Sequence, residues 1–117
     1  MAFVIPFKGL RYNPEIARNL ADLITPPYDV IDAAAQDCYY SRHPYNVIRL
    51  EYGKTGPEDC DSSNRYTRAA EDFKVWLKEK ILTRESEPAI YLYEQEFTIK
   101  VVMKIRILFI CGFKLDP

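Results

Sequence analysis

Apolar residues in the middle of the chain fall on one helical face. Tyr66, Ala69, Ala70, Phe73, Trp76, Leu77 and Ile81 follow three- and four-residue spacing. The pattern predicts a helix over residues 64–82. Ser62 and Ser63 offer N-terminal caps, Arg68 and Asp72 stand at i,i+4, and Lys78 and Lys80 suit the negative C-terminal end. The aromatic stripe reads as core, with Phe73 and Trp76 expected to pack on a sheet.

The remaining periodicities are shorter. Residues 3–7 read as a strand, with Pro6 at an edge or bulge. A turn over residues 9–14 leads into a helix over residues 15–23, capped by Asn13 ahead of Pro14, with Ile16, Leu20 and Leu23 facing a core. Asp32 caps a second helix through residue 40, which His43-Pro44 ends. Residues 46–52 read as another strand, and residues 53–63 as a polar, mobile loop without a phosphate-binding glycine motif. Residues 89–99 form a long strand. From Val101 the odd positions stay apolar through Phe109 while Lys104 and Arg106 hold the other face, a further strand by period. No Gly, Asn or Asp marks a hairpin between these two strands.

The fold class that follows is α+β, with a mixed or mainly antiparallel sheet and packed helices in a single domain. Residues 101–113, apolar at alternate positions, are expected to leave an unpaired edge and to support a homodimer through the C-terminal strand.

Residues 23–31 are the stiffest part of the pattern. Pro26 and Pro27 fix φ twice, remove two backbone donors and push Thr25 into an extended conformation. A helix arriving from the N-terminal side stops near Ile24. Tyr28 and Asp29 then stand on backbone with little freedom left to lose, a natural place for a binding site. The same residues also fit a simple helix end whose Asp29 caps the next turn.

Composition narrows the function. The 117 residues, 48% hydrophobic and 28% charged, suit one globular domain. A net charge of −1 with interspersed signs gives no footprint for nucleic acid. Cys38, Cys60 and Cys111 lack metal or redox spacing, and a lone His43 completes no zinc site, so reduced, mostly buried thiols in a cytoplasmic protein are expected. The N-terminus lacks the pattern of a signal peptide, and residues 101–113 are too short and too charged to span a membrane.

Several stretches together resemble the N-terminal part of the prokaryotic family known as domain of unknown function 1015. They are Ile5-Pro6-Phe7-Lys8-Gly9-Leu10-Arg11-Tyr12-Asn13, Thr25-Pro26-Pro27-Tyr28-Asp29-Val30-Ile31 and Pro44-Tyr45-Asn46-Val47-Ile48-Arg49-Leu50. Ala69-Ala70, Trp76-Leu77 and Ile90-Tyr91-Leu92-Tyr93-Glu94-Gln95-Glu96-Phe97 continue the series. Family members are several times longer, and at a distance resemble the nucleotide-binding fold of ParB-type partition proteins, sulfiredoxin and free-serine kinases. The resemblance implies a nucleotide-linked role, with small-molecule phosphotransfer foremost. A ParB-like regulatory module without turnover and a non-catalytic, self-associating remnant are the alternatives. Two departures stand out. Ile99-Lys100-Val101 and Arg106-Ile107-Leu108 occupy the places of a glycine-bearing hairpin and an Arg-Arg-Gly run, and the family's later Pro-His-Glu segment is missing. An inactive fragment, with at most weak binding, is the corresponding expectation.

The candidate site joins Arg11, Tyr28, Asp29, Asn46 and Arg49. Arg11 and Arg49 can clamp a phosphate or carboxylate through bidentate donation. Tyr28 can stack on a ring, and Asp29 can take a proton from a hydroxyl substrate or hold magnesium. The cofactor implied is a nucleotide with magnesium, and the partner a nucleotide or phosphorylated metabolite. Glu94 and Glu96 share a strand face as a possible acidic pair. Arg–Asp pairing across the surface, with both glutamates solvated, is the structural alternative.

Overall fold

The structure, a computed structural model, describes residues 2–115. Its class is α+β. Six short strands and three helices run in the order β1 (Ala2–Ile5), β2 (Leu10–Tyr12), α1 (Ala33–Arg42), α2 (Ile48–Glu51), α3 (Arg65–Lys78), β3 (Leu82–Arg84), β4 (Tyr91–Ile99), β5 (Val102–Ile110) and β6 (Gly112–Leu115). The strands form three two-stranded sheets, β1–β6, β2–β3 and β4–β5, rather than one continuous sheet. The chain divides into two compact units. Residues 12–83 form a helical unit, and residues 2–11 with 84–115 form a strand unit.

In the helical unit, α3 is the element the apolar stripe predicts, with different ends. Its cap is Asn64, not a serine: the Asn64 side-chain oxygen accepts from the Tyr66 and Thr67 amides at 2.9 and 3.2 Å. Thr67 Oγ1 accepts in return from the Asn64 amide at 2.9 Å, closing a capping box. The helix stops at Lys78 rather than residue 82. Lys80 takes φ 60°, and the Ile81 amide bonds back to the Trp76 carbonyl at 2.8 Å. This left-handed closure turns Leu82 into a strand instead.

Trp76, only 3% exposed, forms the core with Ile81 and Leu82; Tyr12, Ile16, Tyr45, Leu50 and Leu77 pack against them. The Tyr45 ring meets Trp76 edge-on at 5.7 Å. The stripe therefore packs through Trp76 on α2, on loops and on the small β2–β3 sheet, by way of Tyr12 and Leu82. Phe73 stays 37% exposed and Tyr66 71% exposed, because both precede the turn that the core covers.

Two predicted elements change type. Residues 46–52 contain the short helix α2 and no strand. Asn46 is fully buried; its amide group donates to the Asp22 carbonyl at 2.8 Å and its oxygen accepts from the Ile48 amide at 2.9 Å. That local bond starts a helical turn and seats Ile48 in the interior. Residues 15–23 are not one helix. Asn13 caps a single turn, and Asn19 accepts from the Ala21 amide at 3.2 Å to start a separate 3-10 turn, Leu20–Asp22. An asparagine in mid-segment competes with the helix ladder and wins here. Leu23, 1% exposed, then anchors the entry to the proline crossing.

The crossing itself is extended at Pro27, with φ −55° and ψ 149°, and leads into a 3-10 turn, Tyr28–Val30. Asp32 caps α1 through the Ala35 amide at 2.8 Å, and His43 ends it in an extended conformation.

In the strand unit, β4 and β5 pair antiparallel with Ile99 opposite Val102. Lys100 and Val101 are thus a two-residue turn, at φ 49° and 59°. The hairpin forms without glycine or asparagine, and a β-branched residue stands in the left-handed region, where L-residues are disfavoured. Further on, β6 pairs antiparallel with β1 in a sheet of two strands. Ile5 lies opposite Gly112, where a Cβ would meet Ile5 Cγ1 at 2.8 Å. No helix among the described residues is long and apolar enough to cross a membrane. Cys38 and Cys60 are exposed, contrary to the expectation of buried thiols: one lies on the outward side of α1 and the other in the polar loop.

Candidate functional site

The helical unit carries a cleft of about 310 Å³ lined by Tyr28, Leu50, Glu51, Tyr52, Gly53, Arg65, Tyr66 and Ala69. Each wall has a local cause. The prolines deliver Tyr28 onto its 3-10 turn, 60% exposed, with its ring 6.2 Å from that of Tyr52. The Tyr52 amide closes α2 on the Ile48 carbonyl, and Gly53 follows it. Arg65 and Tyr66 open α3 immediately after its Asn64 cap.

Arg65 is the centre of this arrangement. Its guanidinium carbon stands 5.4 Å from the Tyr52 ring and 5.1 Å from the Tyr66 ring, and a guanidinium nitrogen donates to the Tyr66 hydroxyl at 3.1 Å. The hydrogen bond to Tyr66 raises the guanidinium above its ordinary pKa. Among the described residues, no carboxylate lies within ion-pair distance of it. A cation flanked by aromatic rings and lacking a carboxylate partner is suited to an anionic ligand with a planar ring.

A second depression, about 500 Å³, shares Gly53 and Arg65 with the first and also includes Tyr40, Arg49, Lys54, Arg68, Asp72 and Glu79. Its other cations already have partners. Arg49 donates to the His43 and Tyr40 carbonyls at 2.8 and 3.0 Å and lies 4.7 Å over the Tyr40 ring. It neutralises the exposed carbonyls at the end of α1. Lys54 pairs with Asp37 at 2.6 Å. Arg68 holds Asp59 through two bonds, at 2.9 and 3.1 Å, instead of the Asp72 its spacing suggests. That pairing holds the Asp59 carboxyl below the usual carboxylate range and gives the polar loop a fixed anchor.

A profile of the family described as protein of unknown function (DUF1015) matches residues 4–117. The chain belongs to this family. No curated protein and no solved structure matches it. In this DUF1015 chain the Thr25–Ile31 and Pro44–Leu50 stretches lie wholly in the helical unit, and the 90–97 stretch in the strand unit.

The predicted site residues separate accordingly. Tyr28 is in the tyrosine cleft. Asp29 is exposed on the same 3-10 turn but does not line it. Arg49 lines the neighbouring depression. Asn46 is fully buried and lines neither, with its side chain bonded to backbone. Arg11 belongs to the strand unit, where it pairs with Glu85 at 3.3 Å. Glu94 and Glu96 do share a face, opposite Ile107 and Ile105 of β5.

Sequence reasoning missed Tyr52, Arg65, Tyr66 and Glu51. Tyr66 was counted into the core stripe, and Tyr52 and Glu51 into a strand. The usable signal was the Asn64-x-x-Thr67 cap, which starts the helix at Arg65 and puts the next residues at its open end. Among the described residues, no group of three His, Cys, Asp or Glu side chains is placed to hold a metal. Glu51 is the carboxylate that the tyrosine cleft contains. A magnesium ion carried in on phosphate oxygens needs no more than one or two such ligands.

Proposed function

We propose that the helical unit binds a nucleotide or a phosphorylated metabolite, with the ring between Tyr28, Tyr52 and Tyr66 and a phosphate on Arg65. The observation that carries this reading is Arg65 itself, a charged fork between two aromatic rings with no carboxylate partner among the described residues. Stacking on a tyrosine contributes roughly 1–3 kcal/mol per base. The proline-fixed approach to Tyr28 reduces the ordering entropy lost on binding. Glu51 is placed to accept from a ribose hydroxyl or to share a magnesium ion with the phosphates.

Binding without turnover is the form this chain supports best, in the manner of a regulatory module in the cytoplasm. Phosphotransfer is the finer alternative, with Asp29 as the base that takes the proton of a hydroxyl substrate. Titration of ATP, ADP and CTP with magnesium, read by amide chemical shifts, tests both readings. Shifts centred on Tyr28, Tyr52 and residues 65–69, abolished by Arg65→Ala and by Tyr28→Ala, are expected. If millimolar nucleotide and millimolar sugar phosphate move none of these resonances, the assignment of the cleft is wrong. Phosphate transfer to a hydroxyl compound that Asp29→Asn removes, with binding unchanged, would establish the enzyme.

A further inference from the structure

The tyrosine cleft and the second depression meet at Gly53 and Arg65, which line both. Bare backbone thus joins the aromatic end to a hollow walled by Arg49, Lys54 and Arg68. The fold itself does not require glycine at this place. Its φ is not in the left-handed region, and a Cβ would stand 3.5 Å from Tyr40 Oη and from Arg65 Cβ, an ordinary contact. The missing side chain leaves room for a ligand to approach the backbone closely beside Arg65.

The cations around the hollow differ in what they can still donate. Arg49 holds the His43 and Tyr40 carbonyls, and Arg68 holds Asp59 and, at 2.7 Å, the Lys54 carbonyl, so both are committed to the fold. Lys54 is not. It lines the depression, while its partner Asp37 stands on α1 and lines neither hollow. The two side chains are 47 and 69% exposed, and an exposed pair of this kind is weakly held. An ammonium has three donors, so Lys54 can turn from Asp37 to a more highly charged anion. The Tyr40 ring, 4.8 Å from Nζ, favours a position of the ammonium beside the hollow. Asp72 and Glu79 line the depression farther along α3 and oppose an anion there. The anionic path is therefore confined to the end at Gly53.

We infer, resting on the nucleotide reading of the Arg65 cleft, that the ligand is a nucleoside di- or triphosphate. Its first phosphate sits on Arg65, the phosphate chain passes Gly53, and the terminal phosphate draws Lys54 away from Asp37. A monophosphate or a sugar phosphate has Arg65 alone to meet. Each further phosphate adds negative charge on the side where Lys54 stands, and Asp37 is the group it displaces.

The whole chain is titrated with AMP, ADP and ATP, each with magnesium at one fixed ionic strength, by calorimetry and amide chemical shifts. ADP and ATP are expected to bind at least about tenfold more tightly than AMP. They should shift the Gly53 and Lys54 amides in addition to those of the cleft. Two substitutions then break the same ion pair from opposite sides. Lys54→Gln should bring the ratio of ADP to AMP affinity close to one. Asp37→Asn, which frees the ammonium, should raise that ratio roughly two- to fivefold. An ion pair that only props the loop predicts the same change from both, so changes of one sign overturn the inference. Equal affinities for AMP and ATP, with shifts confined to the cleft, overturn it and leave the reading of the cleft standing. The same holds if no nucleotide moves a cleft amide but a sugar phosphate does. If neither moves one, both fall.

Discussion

The two units bury their apolar residues to very different degrees. In the helical unit Leu23, Ile31, Ile48, Trp76, Ile81 and Leu82 are all at most 9% exposed. In the strand unit Leu92, Met103, Phe109 and Leu115 are 62–73% exposed and Val101 98%, while Phe7, Leu10, Tyr91 and Phe97 are half-buried. One unit is held by side-chain packing and satisfied polar groups, the other by backbone pairing. Only the first can keep a ligand cleft in shape by itself.

The most severe test of that contrast is Trp76→Ala. It should destabilise the helical unit by about 3–5 kcal/mol, as for large buried aromatics. Urea unfolding followed by far-UV circular dichroism reads the loss, and amide exchange in β4 and β5 should stay unchanged. If both units lose protection together, the contrast between them is not one of independent stability.

Asn46→Ala is next. It leaves the Asp22 carbonyl and the Ile48 amide without their partner in a fully buried place, at about 2–3 kcal/mol. The Arg65 cleft should loosen as α2 loses its start, seen as weaker nucleotide-induced shifts. An unchanged midpoint would mean water reaches both groups.

A gain is expected in the strand unit. Replacing Lys100-Val101 by Asn-Gly removes the left-handed strain at φ 49° and 59°, stabilising the hairpin by roughly 1–2 kcal/mol. Slower amide exchange across β4 and β5, with no change in the helical unit, checks it.

The smallest effect is a pH dependence. Burial pushes the Tyr12 phenol up to about 12, against an opposing pull from the Arg49 charge. Its hydroxyl donates to the Tyr45 carbonyl at 2.7 Å, beside the core. The folded state holds this proton more tightly than the unfolded chain does. The contribution is therefore complete below pH ~10 and declines as pH rises from 10 toward 12. Tyr12→Phe should flatten the fall in stability over that interval, and an equal fall in both proteins would refute the assignment.

Legibility in the sequence followed the length of each signal. The helix stripe around Trp76, the Asp32 cap and the two long alternating strands were readable because many residues repeat one period. Residues 46–52 were not. Two adjacent apolar residues fit a strand or a helix; Asn46 starts the helical turn by accepting from the Ile48 amide, and its bond to the Asp22 carbonyl, far away in sequence, holds it in place to do so. Of the candidate site, Tyr28 was readable from the two prolines that present it. Arg65 was hidden, because one turn of an amphipathic helix looks the same whether its flank is covered or open.

By itself, then, the sequence determined that this is an α+β chain with one dominant amphipathic helix, a stiff Pro26-Pro27 crossing and a C-terminal pair of strands. Those are local properties: periodicity, fixed φ and side-chain caps act within a few residues. Tertiary structure decided which of the aromatic residues are covered, that Arg49 holds the end of α1 while Arg65 is left beside open tyrosines, and that Arg11 lies in a different unit from Tyr28. It also decided that Lys100 and Val101 turn a hairpin against their own preference, since nine paired positions on either side outweigh the strain of two residues. Burial and charge pairing depend on neighbours distant in the chain, and no local pattern records them.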